Sequence, residues 1–391
     1  MNASTLNHLP TRILMGPGPS NVHPRVLKAM ATPVIGHLDP QFLKVMDETR
    51  ENLRLLFRTK NHFTIAISGT GSAGMEAALV NILEPGDRII IGVAGVFGER
   101  MCDVAGRCGA EVVRVEAAWG DIITPEQIAA ELKKKPAKVV AVVHAETSTG
   151  AHQPLHEISK IAHEHGALFL VDTVTSLGGC EVSVDEWGID ICYSGTQKCI
   201  SCPPGLAPIT FNERAMEAVR ARKTKVQSWY LDMTMIERYW GEERFYHHTA
   251  PISMIYALAE ALNIILEEGL EARWQRHARL GGALHKGLEA MGLKLLAKQG
   301  HRLPMLTSVG IPDGVDDLVV RRSLLADLNI ELGGGLGIFK GKAWRVGLMG
   351  ESCCQANVLL ILSALEARLC AQGISISPGA GITKAAEALK I

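Results

Sequence analysis

The sequence predicts an α/β fold: a large domain with a mostly parallel sheet between helices, then a smaller α+β domain. Three observations lead there. Short, nearly unbroken apolar runs alternate with helix-periodic segments through the first two thirds of the chain. That is the pattern of strands buried on both faces. Two long helix-periodic segments, residues 252–268 and 270–291, then interrupt the alternation. Beyond them the strands are fewer and irregularly spaced. The large domain with its N-terminal segment is therefore assigned to residues 1–255, and the small C-terminal domain to 256–391.

In chain order, 63–67 reads as a strand and 74–82 as a helix, 88–93 as a strand and 98–108 as a helix. The alternation continues with strand 111–115, helix 125–134, strand 138–144, helix 155–165 and strand 168–172. Asp190-Ile-Cys-Tyr-Ser and Leu206-Ala-Pro-Ile-Thr-Phe211 are two further strands. In the second unit, 306–311, 330–332 and 344–348 read as strands, and 315–328 and 357–369 as helices. The stretch 371–381 reads as a mobile connection to a short last helix.

Composition excludes several classes. Apolar residues make up 47% of the chain and charged residues 21%, with a formal net charge of -1. Nothing there points to nucleic acid or a membrane surface. No apolar run is long enough to span a bilayer, and the start has no charged and apolar leader pattern. The nine cysteines are scattered and odd in number, which fits a reducing compartment and a cytoplasmic location. Cys199 and Cys202 form a CxxC without a second pair at metal-binding spacing, and Cys353-Cys354 lies far away, so no metal site is expected.

Ligands of an open α/β sheet gather beyond the carboxyl ends of its strands. The first such end carries Ser68-Gly-Thr-Gly-Ser-Ala-Gly74, opening a helix. This is either a tight turn or a site where amides and helix dipole receive a phosphate. It lacks the Gly-Lys-Ser/Thr of a nucleotide loop. Phe97 follows the next strand and is a core residue or a stacking surface. Ala145-Glu-Thr-Ser-Thr-Gly150 is a polar cluster at another end. Asp172 ends an apolar strand, where a carboxylate must be paired or cap a helix. Lys198 stands between a buried strand and Pro203-Pro-Gly205, where an ammonium is costly without a role. A phosphate cradle, a flat ring, an acid and a lysine on one sheet edge are what pyridoxal 5'-phosphate requires. The lysine binds its aldehyde and the acid keeps its ring nitrogen protonated.

The chain resembles the class V, fold-type I pyridoxal-phosphate aminotransferases, and among them the alanine–glyoxylate and serine–glyoxylate (serine–pyruvate) group. The resemblance runs from about Leu14 to Leu369. It is carried by Gly16-Pro-Gly-Pro-Ser-Asn21, Ser68-Gly-Thr-Gly-Ser72, His144-Ala-Glu-Thr-Ser-Thr-Gly150 and Val171-Asp-Thr-Val-Thr-Ser-Leu-Gly-Gly179. Tyr193-Ser-Gly-Thr-Gln-Lys198, Arg222-Lys-Thr-Lys225, Tyr246-His-His-Thr-Ala-Pro251 and Trp344-Arg-Val-Gly-Leu-Met-Gly350 continue it.

The resemblance implies that Lys198 carries the cofactor and Asp172 meets its ring nitrogen. It implies Thr70, Gly71, Ser72 and Gln197 at the phosphate, Thr147 at the ring hydroxyl, and Val174 and Phe97 on the two ring faces. Relatives have a tryptophan where Phe97 stands and a histidine where Ser72 stands. Arg345 is implied as the partner of the substrate carboxylate, with Gly18 and Gly36 beside the substrate. Tyr246 and Thr249 are implied to reach the neighbouring subunit's phosphate, and so a homodimer. The implied reaction moves the amino group of L-alanine or L-serine to glyoxylate. Ureidoglycine as donor, a cysteine desulfurase or lyase, and a non-catalytic scaffold are the alternatives. His247 and His248 are read as structural, and no second cation is evident for a donor with a side-chain carboxylate.

Overall fold

The computed structural model describes residues 5–390. Seven strands build the large sheet: β1 (Phe63–Ser68), β2 (Arg88–Val93), β3 (Glu111–Glu116), β4 (Val139–Val143), β5 (Leu168–Asp172), β6 (Ile191–Tyr193) and β7 (Leu206–Phe211). Their spatial order is β1-β7-β6-β5-β4-β2-β3. The β3–β2, β2–β4, β4–β5 and β5–β6 pairs are parallel, while β7 is antiparallel to both β1 and β6. A parallel return from β6 needs a helical crossover. The connection over 194–205 contains none, and Pro203-Pro-Gly205 turns the chain straight back.

Helices α1 (Pro24–Met30) and α2 (Pro40–Phe57) precede the sheet. Neither emerges from strand–helix alternation, yet both start at a proline, whose fixed φ suits the first helical position. Asp39 caps α2 by accepting from the Gln41 amide at 2.8 Å. Crossover helices α3 (Gly71–Ile82), α4 (Val96–Arg107), α5 (Pro125–Lys134) and α6 (His156–Glu164) follow their strands within three residues of the expected bounds. Helices α7 (Glu213–Arg220) and α8 (Met233–Trp240) are two more that the sequence reading leaves unassigned.

Then come α9 (Ile252–Glu268), α10 (Leu270–Ala290), β8 (Leu306–Gly310), α11 (Asp317–Leu328), β9 (Gly333–Gly334), β10 (Ala343–Gly347), α12 (Gln355–Cys370) and α13 (Ala380–Leu389). Strands β8, β10 and β9 form a small antiparallel sheet in that order. Among the described residues no helix is long and apolar enough to cross a membrane.

Burial defines two main cores. The first includes the large sheet and the buried face of α9 through Ile265. The second is built on α10, α12, Trp344 and Val346. A boundary after residue 255 therefore falls inside α9, and we propose the division between α9 and α10, at Gly269. The N-terminal segment touches the second core as well. Ile13 and Leu14 pair in parallel with Ile330 and Glu331, and Met15 belongs to the second core. The stretch 371–381 is packed rather than loose: Ile374 and Ile376 lie against the second core, and the Gly379 amide donates to Glu366 at 2.8 Å.

The junction of the N-terminal segment with β10 is very tight. The Gly347 amide donates to the Met15 carbonyl at 2.7 Å, and a Cβ on Gly347 would meet the Gly16 carbonyl oxygen at 1.9 Å. Gly347→Ala is expected to lower stability by about 1–3 kcal/mol through backbone overpacking. Gly106→Ala, at an exposed helical glycine with open space around it, should be neutral or stabilising by up to about 1 kcal/mol. Denaturant midpoints of the two variants check this; equal effects would contradict the packing of Gly16 on β10.

Candidate active site

The carboxyl ends of β1, β2, β4, β5 and β6 share one edge of the large sheet, and the residues that follow them converge there. One cavity is lined by Thr70, Gly71, Ser72, Phe97, Val174 and Gln197, with Asp172 and Lys198 in its wall. A continuous recess adds Thr147. So nine of the residues singled out from the sequence meet in one place.

Lys198 is held by a closed turn. Its carbonyl accepts from the Ser201 amide at 3.0 Å, and the Cys202 amide reaches back to the Thr196 carbonyl at 3.0 Å. The ammonium donates to the Pro17 carbonyl. Only 9% of the residue is exposed. Burial, with the Arg345 guanidinium as a second cause, lowers its pKa to about 8. Gly18 explains the close approach: it has a φ of +106°, and a Cβ there would lie 2.5 Å from Lys198 Cδ. Ser20 ties the same loop down, its hydroxyl donating to the Lys198 carbonyl at 2.7 Å.

Asp172 is buried at the end of β5. Oδ1 accepts from the Val174 amide at 2.8 Å and Oδ2 from the Tyr193 hydroxyl at 2.8 Å. Burial nonetheless raises its pKa to about 6. A buried carboxylate in that condition gains most from a cation placed beside it, which is what a protonated ring nitrogen supplies. Tyr193 is fully buried and was not singled out from sequence. Its position one residue from the end of a core strand looks purely structural.

The start of α3 forms one end of the cavity. Thr70 is its N-cap residue but makes no side-chain cap bond, so the first amides keep their donors for an anion. Gly71 lets the turn pass close to Val174, where a Cβ would sit 3.1 Å from Cγ2. Gln197 Oε1 is buried without a partner, which marks this amide as one with unused hydrogen-bonding capacity. These observations fit pyridoxal 5'-phosphate.

Two charged residues at the site escaped the sequence reading. Arg100 lines the cavity, stacks over Phe97 at 4.9 Å from the ring centroid and donates to Ser72 Oγ at 3.4 Å. Its signal was the three-residue spacing from Phe97 on the first turns of α4. It is a second cation at the site, placed at the Ser72 end. Glu146 is buried and accepts from the Phe97 and Ser148 amides, both at 3.1 Å. Burial raises its pKa.

Arg345 is buried on β10, and burial lowers its pKa to about 10. Among the described residues it makes one side-chain hydrogen bond, from Nε to the Gly334 carbonyl at 2.8 Å, and no ion pair. A structural ion pair is thus not its role. Gly36, Tyr246 and Thr249 do not line this chain's cavity. Tyr246 is 55% exposed, and Thr249 is exposed as well. The run Arg222–Lys225 serves the far end of α3: Arg222 donates to the Asn81 and Leu83 carbonyls, and Thr224 to Glu84. His247 and His248 contact each other through Nδ1 atoms 2.8 Å apart, outside the cavity.

Comparison with known proteins identifies the family. The family described as Aminotransferase class-V matches residues 14–338. The chain is 44% identical to the (S)-ureidoglycine–glyoxylate transaminase of Bacillus subtilis, over 96% of this chain and 95% of that protein. The crystal structure of the ureidoglycine–glyoxylate aminotransferase of that organism superposes with a TM-score of 0.96 at 45% identity, covering 98% of this chain and 99% of that one. Alanine–glyoxylate aminotransferase of Drosophila melanogaster is 40% identical over 92% of each chain. The structure of the Nostoc sp. alanine–glyoxylate aminotransferase has a TM-score of 0.91 at 49% identity, covering 94% of this chain and 100% of that one. With a buried lysine, a buried aspartate and an uncapped helix start around one cavity, this chain belongs to the class V aminotransferases, fold type I, and its cofactor is pyridoxal 5'-phosphate.

Proposed function

We propose that the chain transfers the amino group of a small amino acid, L-alanine or L-serine, to glyoxylate, giving glycine and pyruvate or hydroxypyruvate. The observation that carries this reading is Arg345, a guanidinium free of ion pairs whose charge acts on Lys198. A planar cation there suits the carboxylate shared by α-amino acids and glyoxylate. Glyoxylate as acceptor gains support because the names of both groups of relatives contain it. The second reading, ureidoglycine as donor, is favoured by the B. subtilis relative. A desulfurase needs an accessible nucleophilic cysteine. Cys353 is buried and its thiol is pushed up to about 12 by that burial, which speaks against it.

The residue roles belong to the same proposal. Thr70, Gly71 and Ser72, with Gln197 and Arg100, hold the phosphate, and Val174 and Phe97 confine the ring. Thr147 meets the ring hydroxyl. Asp172, oriented by Tyr193 and the Val174 amide, keeps the ring nitrogen protonated. Pyridoxal phosphate, when bound, supplies the aldehyde that receives the amino group and a ring that accepts the electron pair left at the α-carbon. The amine of Lys198 would serve as the base that takes the substrate's α-proton and as the acid that gives it back. Gly18, packed on Lys198, would border the substrate. We further propose a homodimer in which Tyr246 and Thr249 reach the partner's phosphate. Exposed Trp229, Tyr230 and Phe245 form an apolar surface near them in sequence that a second copy would cover. Nine free cysteines support a reducing, cytoplasmic setting.

The deciding experiment follows the absorbance of the bound cofactor as donors are added one at a time, then glyoxylate. L-alanine or L-serine is expected to bleach the band and glyoxylate to restore it. A response to (S)-ureidoglycine alone selects the second reading. Lys198→Ala should keep the cofactor non-covalently and lose transamination by at least about 10²-fold; full activity in that variant would remove Lys198 from the mechanism.

Because its pKa is lowered to about 8, the Lys198 amine is neutral above that pH. The rate at which cofactor-free protein takes up pyridoxal phosphate should rise through pH 8. A midpoint at the ordinary lysine value, near ~10.4, would show that the ammonium is not desolvated.

Arg345→Gln should raise KM for donor and acceptor together by about 10–100-fold, the loss of a charged hydrogen-bond pair. The bound-cofactor spectrum should stay intact. Unchanged KM values would place the substrate carboxylate elsewhere.

A further inference from the structure

Behind the active cavity, three side chains from separate segments face one another. His144 follows β4, His152 lies in the short pairing of Ala151–His152 with Ala145–Glu146, and Cys180 follows β5. The two Nε2 atoms are 3.0 Å apart, and Cys180 Sγ is 3.8 Å from His152 Nε2. All three donor atoms lie within 4.8 Å of one another. Nothing in the transamination scheme uses them. Their spacings of 8 and 28 residues match no metal-binding pattern, so only the fold brings them together.

We propose that His144, His152 and Cys180 form a zinc-binding site with one open coordination position. Bond lengths of about 2.0–2.1 Å for nitrogen and about 2.3 Å for sulfur put tetrahedral N···N at roughly 3.3 Å and N···S at roughly 3.6 Å. The observed 3.0 and 3.8 Å need shifts of a few tenths of an ångström, and the third pair, His144 with Cys180 inside the 4.8 Å limit, closes by about an ångström at most. The N₂S donor set suits a borderline-soft ion such as zinc rather than magnesium or calcium. Burial lowers the pKa of both imidazoles, which keeps them neutral and ready to ligate. Zinc must displace the Cys180 proton, so binding releases a proton.

The fourth position has room. His152 and Cys180 line a cavity of about 510 Å³ whose wall also holds Glu181, His285 and Arg302. His144 Nδ1 has no partner among the described residues, so that ring lacks the outer acceptor usual for zinc histidines. Affinity is accordingly weaker than at a structural zinc site. Zinc here would tie the residue before Ala145 and the residue after Ala151 to Cys180. It thereby fixes the base of the loop that carries Thr147 to the active cavity.

The test is equilibrium dialysis of the chelator-treated holoenzyme against zinc chloride, with metal content per chain read by atomic absorption. One zinc per chain is expected. Cys180→Ser and His152→Asn should each weaken binding by at least tenfold, with metal-free unfolding midpoints matching the parent. If the buried Cys180 variant fails to fold, His152→Asn, at the cavity wall, carries the comparison. X-ray absorption on the zinc-loaded protein should show one sulfur at about 2.3 Å among nitrogen or oxygen neighbours. No bound zinc, binding unaffected by His152→Asn, or a shell without sulfur would overturn the proposal.

Discussion

Desolvation of Lys198 is the constraint around which the rest of the molecule is arranged. An ammonium taken out of water is costly, and the fold offers it a carbonyl from Pro17 rather than a carboxylate partner. A tight ion pair would hold the amine protonated and useless as a nucleophile. The neutral acceptor, the neighbouring Arg345 and the low exposure together leave it close to half neutral under mildly alkaline conditions. Asp172 is treated in the opposite sense. It keeps two hydrogen-bond donors but no adjacent ion-pair partner among the described residues, so its demand for positive charge is reserved for the cofactor.

Much of this was legible in the sequence because the chemistry lies at strand ends. A charged residue at the end of an apolar strand, such as Asp172, or in the turn beyond one, such as Lys198, stands out from its surroundings. Glycines before a helix do the same at residues 69–74. What was not legible depends on tertiary packing. Arg100 and Glu146 read as ordinary polar residues until β2 and β4 are set side by side. The antiparallel course of β7 rests on the absence of a helix in a loop whose length alone would allow one. Helices α7 and α8 have short amphipathic patterns that compete poorly with loop readings. Arg345 was found through its family motif, yet its freedom from ion pairs could only be seen once β10 was paired with β9.

The site also shows how one sheet edge sorts charge. Arg100 stands at the Ser72 end of the cavity, where a phosphate brings negative charge. Arg345 stands on β10, between Trp344 and Val346 of the second core. Asp172 helps to raise the pKa of buried Glu146, and Glu146 acts in turn on Arg345. Lys198 and Arg345 thus sit on elements of different cores, and any motion between the cores would change the reach of Arg345 while leaving the start of α3 intact.

The pairing of residues 13–15 with a strand more than three hundred residues later has a consequence for how the protein is made. Residues 63–211, which build the large sheet, leave the ribosome well before β10 exists. The loop of Pro17 and Gly18 has one anchor in the early part of the chain, Ser20 on the Lys198 turn, and gains its second only when Gly347 has been synthesised. The last portion of the polypeptide thus completes the seating of the first.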